Sequence, residues 1–281
     1  MELFSEVKSS LKEAAGTISS ILTPVRLVTR ATLVGVLSLA QIEASFLDQK
    51  IPYQRTIVEG PIVPNSISGP AIIISSGVES KWTVETKILL ISPTTINVTM
   101  GNKNKIITGV LGTVAQSAAL AAILSPSGIR TRRQRGMSCS GQWLRDSLDS
   151  VYDPVWTIIR DHLQIEGTVQ VLPITEIASI EELTLPNLPA RTFKRLKRVW
   201  GSFDAEERAG ALSELVLPMV EGENISAARL EELVWHRVIG TDWPMDLASL
   251  LYHAQNEWPD EGEVLHAGRV MDKLISTGLP V

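Results

Sequence analysis

The chain contains a single cysteine, Cys139, and this scarcity limits what the protein can be. One thiol excludes an intramolecular disulfide framework and a cysteine-rich zinc site. Such cysteine usage fits a reducing compartment, so we expect a cytoplasmic protein. The first residues lack the basic start and uninterrupted apolar run of a secretory signal, because Glu6 and Lys8 interrupt them, and Glu2 stands where an N-myristoyl anchor needs glycine. We therefore expect neither a signal peptide nor an N-myristoyl anchor.

Aromatic residues are also scarce, at 5% of the chain, whereas hydrophobic residues make up 44% and charged residues 20%. This balance is typical of a globular protein and far from the polar composition of a disordered one. A length of 281 residues suffices for a sizeable core, in one large domain or two ordinary ones. Six of the seven tryptophans follow residue 140, so we expect the aromatic part of the core in the C-terminal half.

A nucleophile motif is missing as well. The segment from Gly136 to Gly141 resembles a nucleophile turn, but Ser140 stands where the G-x-S-x-G pattern needs glycine. Cys139 follows four arginines, and basic surroundings make a thiol more reactive. A cysteine nucleophile therefore stays open as a third hypothesis. We predict that the chain is not an enzyme.

Cofactor and metal motifs are equally weak. Glu232 and His236 share one face of a predicted helix, but zinc needs three or four converging ligands. The segment Gly109–Gly112 has neither the spacing nor the lysine of a phosphate-binding P-loop. We therefore predict no metal site and no cofactor.

Residues 1–48 are predicted to form an N-terminal helical arm. Apolar residues recur at three- and four-residue spacing from Leu3 to Leu22 and again from Val25 to Leu47. Thr23 and Pro24 separate the two stretches as a helix cap and a first-turn proline. The second stretch carries no charge between Ala31 and Glu43, so we expect it to be buried or packed on a partner, with membrane association as the alternative.

Residues 49–187 are predicted to form a β-rich region that includes one apolar helix. Glycine and proline punctuate residues 51–100, and β-branched runs between them predict short strands of a small antiparallel sheet or sandwich. The strand candidates are residues 56–58, 71–74, 81–86 and 95–99. A further strand is predicted over Thr168–Leu172.

An uncharged stretch, Ile106–Ile129, lies inside this region and is long enough for a transmembrane helix. Its glycine, alanine, threonine and glutamine content makes insertion into a bilayer unfavourable. We therefore predict a buried central helix over this stretch. Interfacial insertion into a membrane and a conformational switch are the alternatives.

Residues 188–281 are predicted to form an acidic helical bundle after a proline-marked connection. Acidic residues in first turns and glycines after last turns delimit the helices. The predicted helices are Ala190–Trp200, Asp204–Val220, Ser226–Ile239, Met245–Glu257 and Glu263–Ser276. The predicted fold class is therefore α+β, with N-terminal helices, a small antiparallel β region, a central small-residue helix and a C-terminal helical bundle.

Charge is unevenly distributed along the chain. Residues 201–281 contain five lysines and arginines against fifteen acidic residues, whereas residues 1–200 contain 21 against 16. Two basic clusters stand out, and clustered guanidinium groups match the geometry of phosphate. The first cluster is Arg130, Arg132, Arg133 and Arg135, and the second is Arg191, Lys194, Arg195, Lys197 and Arg198. We predict that both contact an anionic surface, either membrane headgroups or nucleic acid; the alternative is a solvated loop and an ordinary amphipathic helix.

These features together predict a non-enzymatic structural or assembly protein. We expect it to self-associate as a homo-oligomer, to contact an anionic lipid surface or nucleic acid as a cytoplasmic or peripheral membrane protein, and to resemble a viral matrix or capsid protein in layout. The alternative is an intracellular regulatory module that binds another protein, such as a basic partner, through its acidic C-terminal helices.

Overall fold

The computed structural model describes residues 2–77, 79–100, 105–149, 152–181, 184–185, 187–220 and 225–281. Helices and strands are mixed along the chain, which confirms the predicted α+β class. The helices are α1 Ser5–Ile18, α2 Leu33–Gln49, α3 Thr113–Leu124, α4 Ile129–Gln134, α5 Ser140–Trp143, α6 Pro154–Ile165, α7 Ala190–Val199, α8 Ala205–Val220, α9 Ala227–Trp235, α10 Leu247–Asn256 and α11 Glu263–Thr277. The strands are β1 Val25–Arg30, β2 Tyr53–Val58, β3 Ala71–Ile74, β4 Lys81–Thr83, β5 Ile88–Ile91, β6 Thr94–Met100, β7 Lys105–Leu111, β8 Val169–Leu172 and β9 Arg237–Gly240.

The chain divides into two compact units. Unit 1 consists of Met1–Leu144, Pro154–Ile158 and Ala254–Val281, and unit 2 consists of Arg145–Asp153 and Ile159–His253. The predicted division into residues 1–48, 49–187 and 188–281 concerns which segments fold independently, and it stays a prediction.

Unit 1 contains a five-stranded sheet in the order β2-β1-β3-β5-β4. Strands β1, β2, β3 and β5 run parallel, and β4 joins the edge antiparallel to β5. A separate antiparallel hairpin pairs β6 with β7. Antiparallel pairing is therefore present, as predicted, in β4–β5 and β6–β7. The predicted strands 56–58 and 71–74 instead belong to a parallel ladder at the centre of the unit, which the sequence did not indicate.

The predicted helix from Val25 to Leu47 is in fact a strand followed by a helix. Strand β1 pairs with β2 on one side and β3 on the other, and these long-range ladders override the local helical spacing. Helix α2 begins only at Leu33, and its cap is Thr32 rather than Thr23: the Thr32 side chain accepts a hydrogen bond from the Gly35 amide at 3.2 Å.

Helix α2 is the core helix of unit 1, as its uncharged sequence predicted. Side chains from Leu33 to Phe46 are buried almost without interruption, including Ser38 and Gln41. It packs on the sheet and against α3 and α11. Burial on all sides explains why its apolar residues do not form the single stripe of a surface helix.

The predicted central helix over Ile106–Ile129 is also split. Strand β7 occupies Lys105–Leu111, where β-branched residues favour extended backbone. Gly109 packs so closely on Val155 that a Cβ there would come within 2.6 Å of a Val155 methyl carbon. The remainder forms α3, whose burial confirms the predicted packing role. Within the described residues, no helix is long and apolar enough to span a bilayer.

Unit 2 contains helices α7 to α9, most of α6 and α10, and a β8–β9 ladder. The predicted strand at β8 is confirmed, whereas the predicted helix Ser226–Ile239 ends at Trp235 and continues as β9. The start of α8 is a capping box, as its sequence indicated: Asp204 accepts from the Glu207 amide, and Glu207 accepts from the Asp204 amide, both at 2.9 Å.

Candidate functional site

The strand order of unit 1 creates a crevice at one edge of its sheet. The chain leaves β1 toward β2 on one side, whereas β3 lies on the other side, so the carboxyl ends of β1 and β3 form a topological switch point. Open parallel sheets bind ligands at this position. A cavity of about 290 Å³ lies here. Its lining residues are Thr29, Arg30, Thr32, Val34, Gly35, Pro61, Ile62, Ile74, Ser75, Ser76, Gly77, Pro93 and Thr113.

The wall formed by β1 and α2 brings backbone and hydroxyl groups close together. A Cβ at Gly35 would overlap the Thr29 hydroxyl and lie 2.7 Å from the Arg30 carbonyl oxygen, so only glycine fits there. Thr29 is fully buried, and its hydroxyl has no hydrogen-bond partner within the described residues. A buried polar group without a partner costs free energy, which makes Thr29 a candidate ligand contact.

The chemistry of the lining favours an anion. Helices α2 and α3 both begin at the crevice, and their first-turn amides and dipoles attract negative charge. Ser75 and Ser76 supply further hydroxyl groups, and the exposed Arg30 supplies a positive charge. None of the lining residues in the described part of the chain carries a carboxylate, an imidazole or a thiol. The crevice is therefore suited to hold a phosphate, and its lining offers no general base.

A buried polar network fixes the opposite wall. The Ser80 hydroxyl donates to the Ser92 carbonyl oxygen at 2.8 Å and accepts from the Ser92 amide at 2.9 Å. Gln116, on α3, donates to the Ser92 and Leu111 carbonyl oxygens at 2.6 and 3.0 Å. These bonds tie the carboxyl end of β5 to the start of α3.

A second cavity of about 390 Å³ lies along the other part of β1. Its lining comes from the middle of the strands and from the loop that follows β2, including Arg26, Val28 and Ile67. Val28 also belongs to the apolar cluster that Ile62 and Ile67 cover. We prefer the smaller crevice as the functional site because it combines the switch point, two helix starts and the unpartnered Thr29 hydroxyl.

The first basic cluster belongs to unit 1, on α4 and just after it. Arg130 pairs with Asp48 at 3.3 Å, and Arg133 donates to the Ser276 carbonyl oxygen. Arg135 is half-buried, and Arg132 is exposed. The Arg130 and Arg133 guanidinium groups are thus engaged within the unit, and an anionic-surface role for this cluster stays a prediction.

Asp48 links α2 to α4 and gives the fold a pH-dependent contact. Burial of its carboxyl group opposes ionisation, but hydrogen bonds from the Thr131 amide and hydroxyl and from Arg130 outweigh this and hold the pKa of Asp48 below its ordinary value of 3.8. A carboxyl group whose pKa is lower in the folded state stabilises the fold at pH values above its unfolded pKa. This stabilisation is lost as the pH falls through the folded pKa.

We therefore expect Asp48→Asn to lower the free energy of unfolding at pH 6 and to have a much smaller effect near pH 2. Urea denaturation at both pH values measures this difference. The matched control is Asp260→Asn at an exposed position, which should leave stability unchanged at either pH. An equal loss for Asp48→Asn at both pH values would contradict the contribution of the charge.

The second basic cluster belongs to unit 2, on α7. Four of its members are exposed, namely Arg191, Lys194, Arg195 and Arg198. Lys197 is half-buried: its ammonium group donates to the Ile177 carbonyl oxygen at 2.7 Å and lies 5.5 Å from the centroid of the Phe193 ring. The two clusters lie in different units, and anion binding by the second also stays a prediction.

The other candidates occupy structural positions. Cys139 is fully buried, and its thiol lies 3.4 Å from the Gly136 carbonyl oxygen as a donor. Glu232 accepts from the Arg160 guanidinium at 2.6 Å, with both side chains buried. No group of three or more potential metal ligands occurs among the described residues. That the chain is not an enzyme stays a prediction.

Sequence reasoning missed the crevice because its residues come from five separate segments. One local signal was available: the β-branched run Ala71–Ile74 is followed directly by Ser75, Ser76 and Gly77, which is typical of a ligand-binding strand end. The part of the crevice around Thr29 and Gly35 was not predicted, because the sequence pattern assigned β1 to a helix.

Comparisons with known proteins find distant structural similarity and no match in sequence. No family model matches the chain, and no curated protein matches it. Among solved structures, it is similar to the crystal structure of CDC45 from Entamoeba histolytica, with 10% sequence identity, a TM-score of 0.47, and coverage of 98% of this chain and 74% of that one. The similarity is too low to assign a function to this chain.

The prediction of a viral matrix-like assembly protein is wrong, and the structure removes its main support. The apolar α2, which suggested an assembly arm, is buried within unit 1. We retain neither that function nor its alternative, the regulatory module acting through acidic helices.

Proposed function

We propose that this chain binds a phosphate-bearing ligand in the crevice at the carboxyl ends of β1 and β3, without chemical turnover. The observation that carries the proposal is the unpartnered Thr29 hydroxyl, which lies in a cavity lined by two helix starts, serine hydroxyls and Arg30. A phosphoryl group would supply the acceptor oxygens and the negative charge that this lining favours.

Two sources carry the same phosphoryl chemistry: a free nucleotide and the terminal phosphate of a nucleic-acid strand. A cavity of about 290 Å³ is at the lower end of small-molecule sites, so it fits a phosphate with part of its attached group. The remainder of the ligand would extend past Arg30 into solvent, which suits both sources.

The test is ligand binding by the full chain, measured by calorimetry with inorganic phosphate, a mononucleotide, and oligonucleotides with and without a 5′-phosphate. We expect Arg30→Gln to weaken binding by about tenfold or more, because a hydrogen bond to a charged group contributes about 1.5–3 kcal/mol. Arg26→Gln is the matched control: Arg26 lies on the same strand, is also exposed and is remote from the carboxyl edge.

Thr29→Val separates a ligand contact from a structural role. Valine keeps the shape of threonine and removes a hydroxyl that has no partner in the described fold, so stability should be unchanged or higher while phosphate affinity falls. Absence of phosphate binding, or equal losses for Arg30→Gln and Arg26→Gln, would refute the proposal. Selective binding of the 5′-phosphorylated strand would identify nucleic acid as the source.

Self-association and contact with lipid also remain predictions, whereas the basic protein partner belonged to the regulatory alternative and is not retained. Light scattering of the purified chain and co-sedimentation with phosphatidylserine vesicles test these two predictions directly. Neither is needed for the crevice to bind its ligand, since all its lining residues belong to one unit.

A further inference from the structure

Four exposed cations lie along one face of α7, and we name them the α7 stripe: Arg191, Lys194, Arg195 and Arg198. Their spacing of three and four residues places them as neighbours on the helix surface. Arg191 and Arg195, and likewise Lys194 and Arg198, are like-charged pairs four residues apart, which destabilise a helix. No member of the stripe has a carboxylate within 4.0 Å in the part of the chain that the structure describes. The repulsion is thus uncompensated within the described fold.

The opposite face of α7 is fixed inside unit 2. Phe193, Leu196 and Trp200 are buried, and the Trp200 indole donates to the Glu176 carboxylate at 2.8 Å. The Arg208 guanidinium lies 5.1 Å from the centre of the Trp200 ring. Because these contacts occupy the apolar face, α7 cannot insert that face into a bilayer, as membrane-surface helices do. The stripe therefore acts through its charges alone.

The geometry points to a nucleic-acid backbone as the partner: we propose that the α7 stripe binds the phosphates of a nucleic-acid strand without reading its sequence. Three of the four cations are arginines, whose planar groups match phosphate oxygens. The stripe extends over about 10 Å of helix, which is about three nucleotide steps of 3.4 Å. This surface lies in unit 2 and does not depend on the crevice of unit 1.

The test compares two variants of the full chain that lose the same number of positive charges. The stripe variant is Arg191→Gln, Lys194→Gln, Arg195→Gln and Arg198→Gln. The control variant replaces exposed cations of unit 1: Lys8→Gln, Lys12→Gln, Arg269→Gln and Lys273→Gln. Glutamine preserves helix propensity, so both variants should remain folded, which circular dichroism checks.

Fluorescence anisotropy with a labelled single-stranded oligonucleotide over a range of salt concentrations provides the measurement. In the stripe variant, the slope of log affinity against log salt should fall by about three, because each phosphate contact on a single strand contributes about 0.7. The control variant should keep most of its slope. Replacing the three stripe arginines by lysine should restore the slope, because lysine retains the charge.

Three outcomes would overturn the proposal. The first is an equal change in slope for the stripe and control variants. The second is loss of phosphatidylserine-vesicle binding in the stripe variant with unchanged oligonucleotide binding, which would assign the stripe to a membrane. The third is a dimer of the wild type that the stripe variant disrupts, with oligonucleotide binding intact, which would assign the stripe to a second copy of this chain.

Discussion

Replacing Arg237 by methionine should lower the free energy of unfolding by about 3–5 kcal/mol, because it leaves the Asp246 carboxylate buried without a counter-charge. Arg237 lies on β9 and is 1% exposed, whereas Asp246 is fully buried. Their side chains pair at 2.9 Å, and burial lowers the pKa of Arg237 despite the attraction of Asp246. Two further acceptors, the Leu233 carbonyl oxygen and the Thr184 hydroxyl, help to hold the guanidinium charge.

Asp246→Asn should destabilise the chain by a similar amount, and the double variant should lose less than the sum of the two single losses. Asp246 also accepts from the Ala248 amide at 3.0 Å, a bond that asparagine can keep, and from the Ser249 hydroxyl at 2.7 Å through its second oxygen. The change therefore removes the charge together with one acceptor. Urea denaturation of the wild type, the two single variants and the double variant measures this double-mutant cycle. The control is Asp149→Asn, because Asp149 is 53% exposed in its pair with Arg229 and should contribute less than about 1 kcal/mol. Additive losses in the cycle would contradict a coupled pair.

Local signals allowed the sequence to predict part of this fold. The capping box at Asp204 lies within four residues, so its spacing alone located the start of α8. The β8 strand and the burial of α2 were likewise evident from composition over short windows. Each of these features depends on residues that are close together in the sequence, and apolar periodicity detects such local patterns.

The errors arose where distant segments decide the structure. Residues Val25–Arg30 carry apolar side chains that fit both helical and strand spacing, and only pairing with β2 and β3 selects the strand. The candidate crevice depends on the same pairing, because its switch point exists only once β1 lies between those two strands. Fold class was therefore predictable, whereas strand order and the functional site were not.

A buried carboxylate on α2 leads to the second large effect. Glu43 has a side chain that is 2% exposed, and it accepts from the Arg55 guanidinium and from the Tyr53 hydroxyl at 2.9 Å. Both partners lie on β2, so this cluster joins the core helix of unit 1 to the edge of its sheet. Burial, with the neighbouring Glu43 charge, raises the pKa of Tyr53, which keeps its hydroxyl a donor at alkaline pH.

We expect a graded series of stability losses from this cluster. Arg55→Met should cost about 3–5 kcal/mol, because it leaves the Glu43 charge buried with a single neutral donor. Tyr53→Phe should cost about 1–3 kcal/mol, since it removes one hydrogen bond to a charged group. Asp272→Asn should cost less than about 1 kcal/mol, because Asp272 pairs with Arg55 on the surface at 71% exposure.

Urea denaturation of the three variants measures this order, and the pH dependence gives a second check. Tyr53 has a raised folded pKa, so its contribution should be complete below about pH 10 and lost as the pH rises further. In Tyr53→Phe, this decrease in stability at alkaline pH should be absent. An equal loss of stability in Asp272→Asn and Arg55→Met would contradict this order. It would show that the surface pair of Arg55 and Asp272, between β2 and α11, stabilises the cluster more than the buried Glu43 charge on α2.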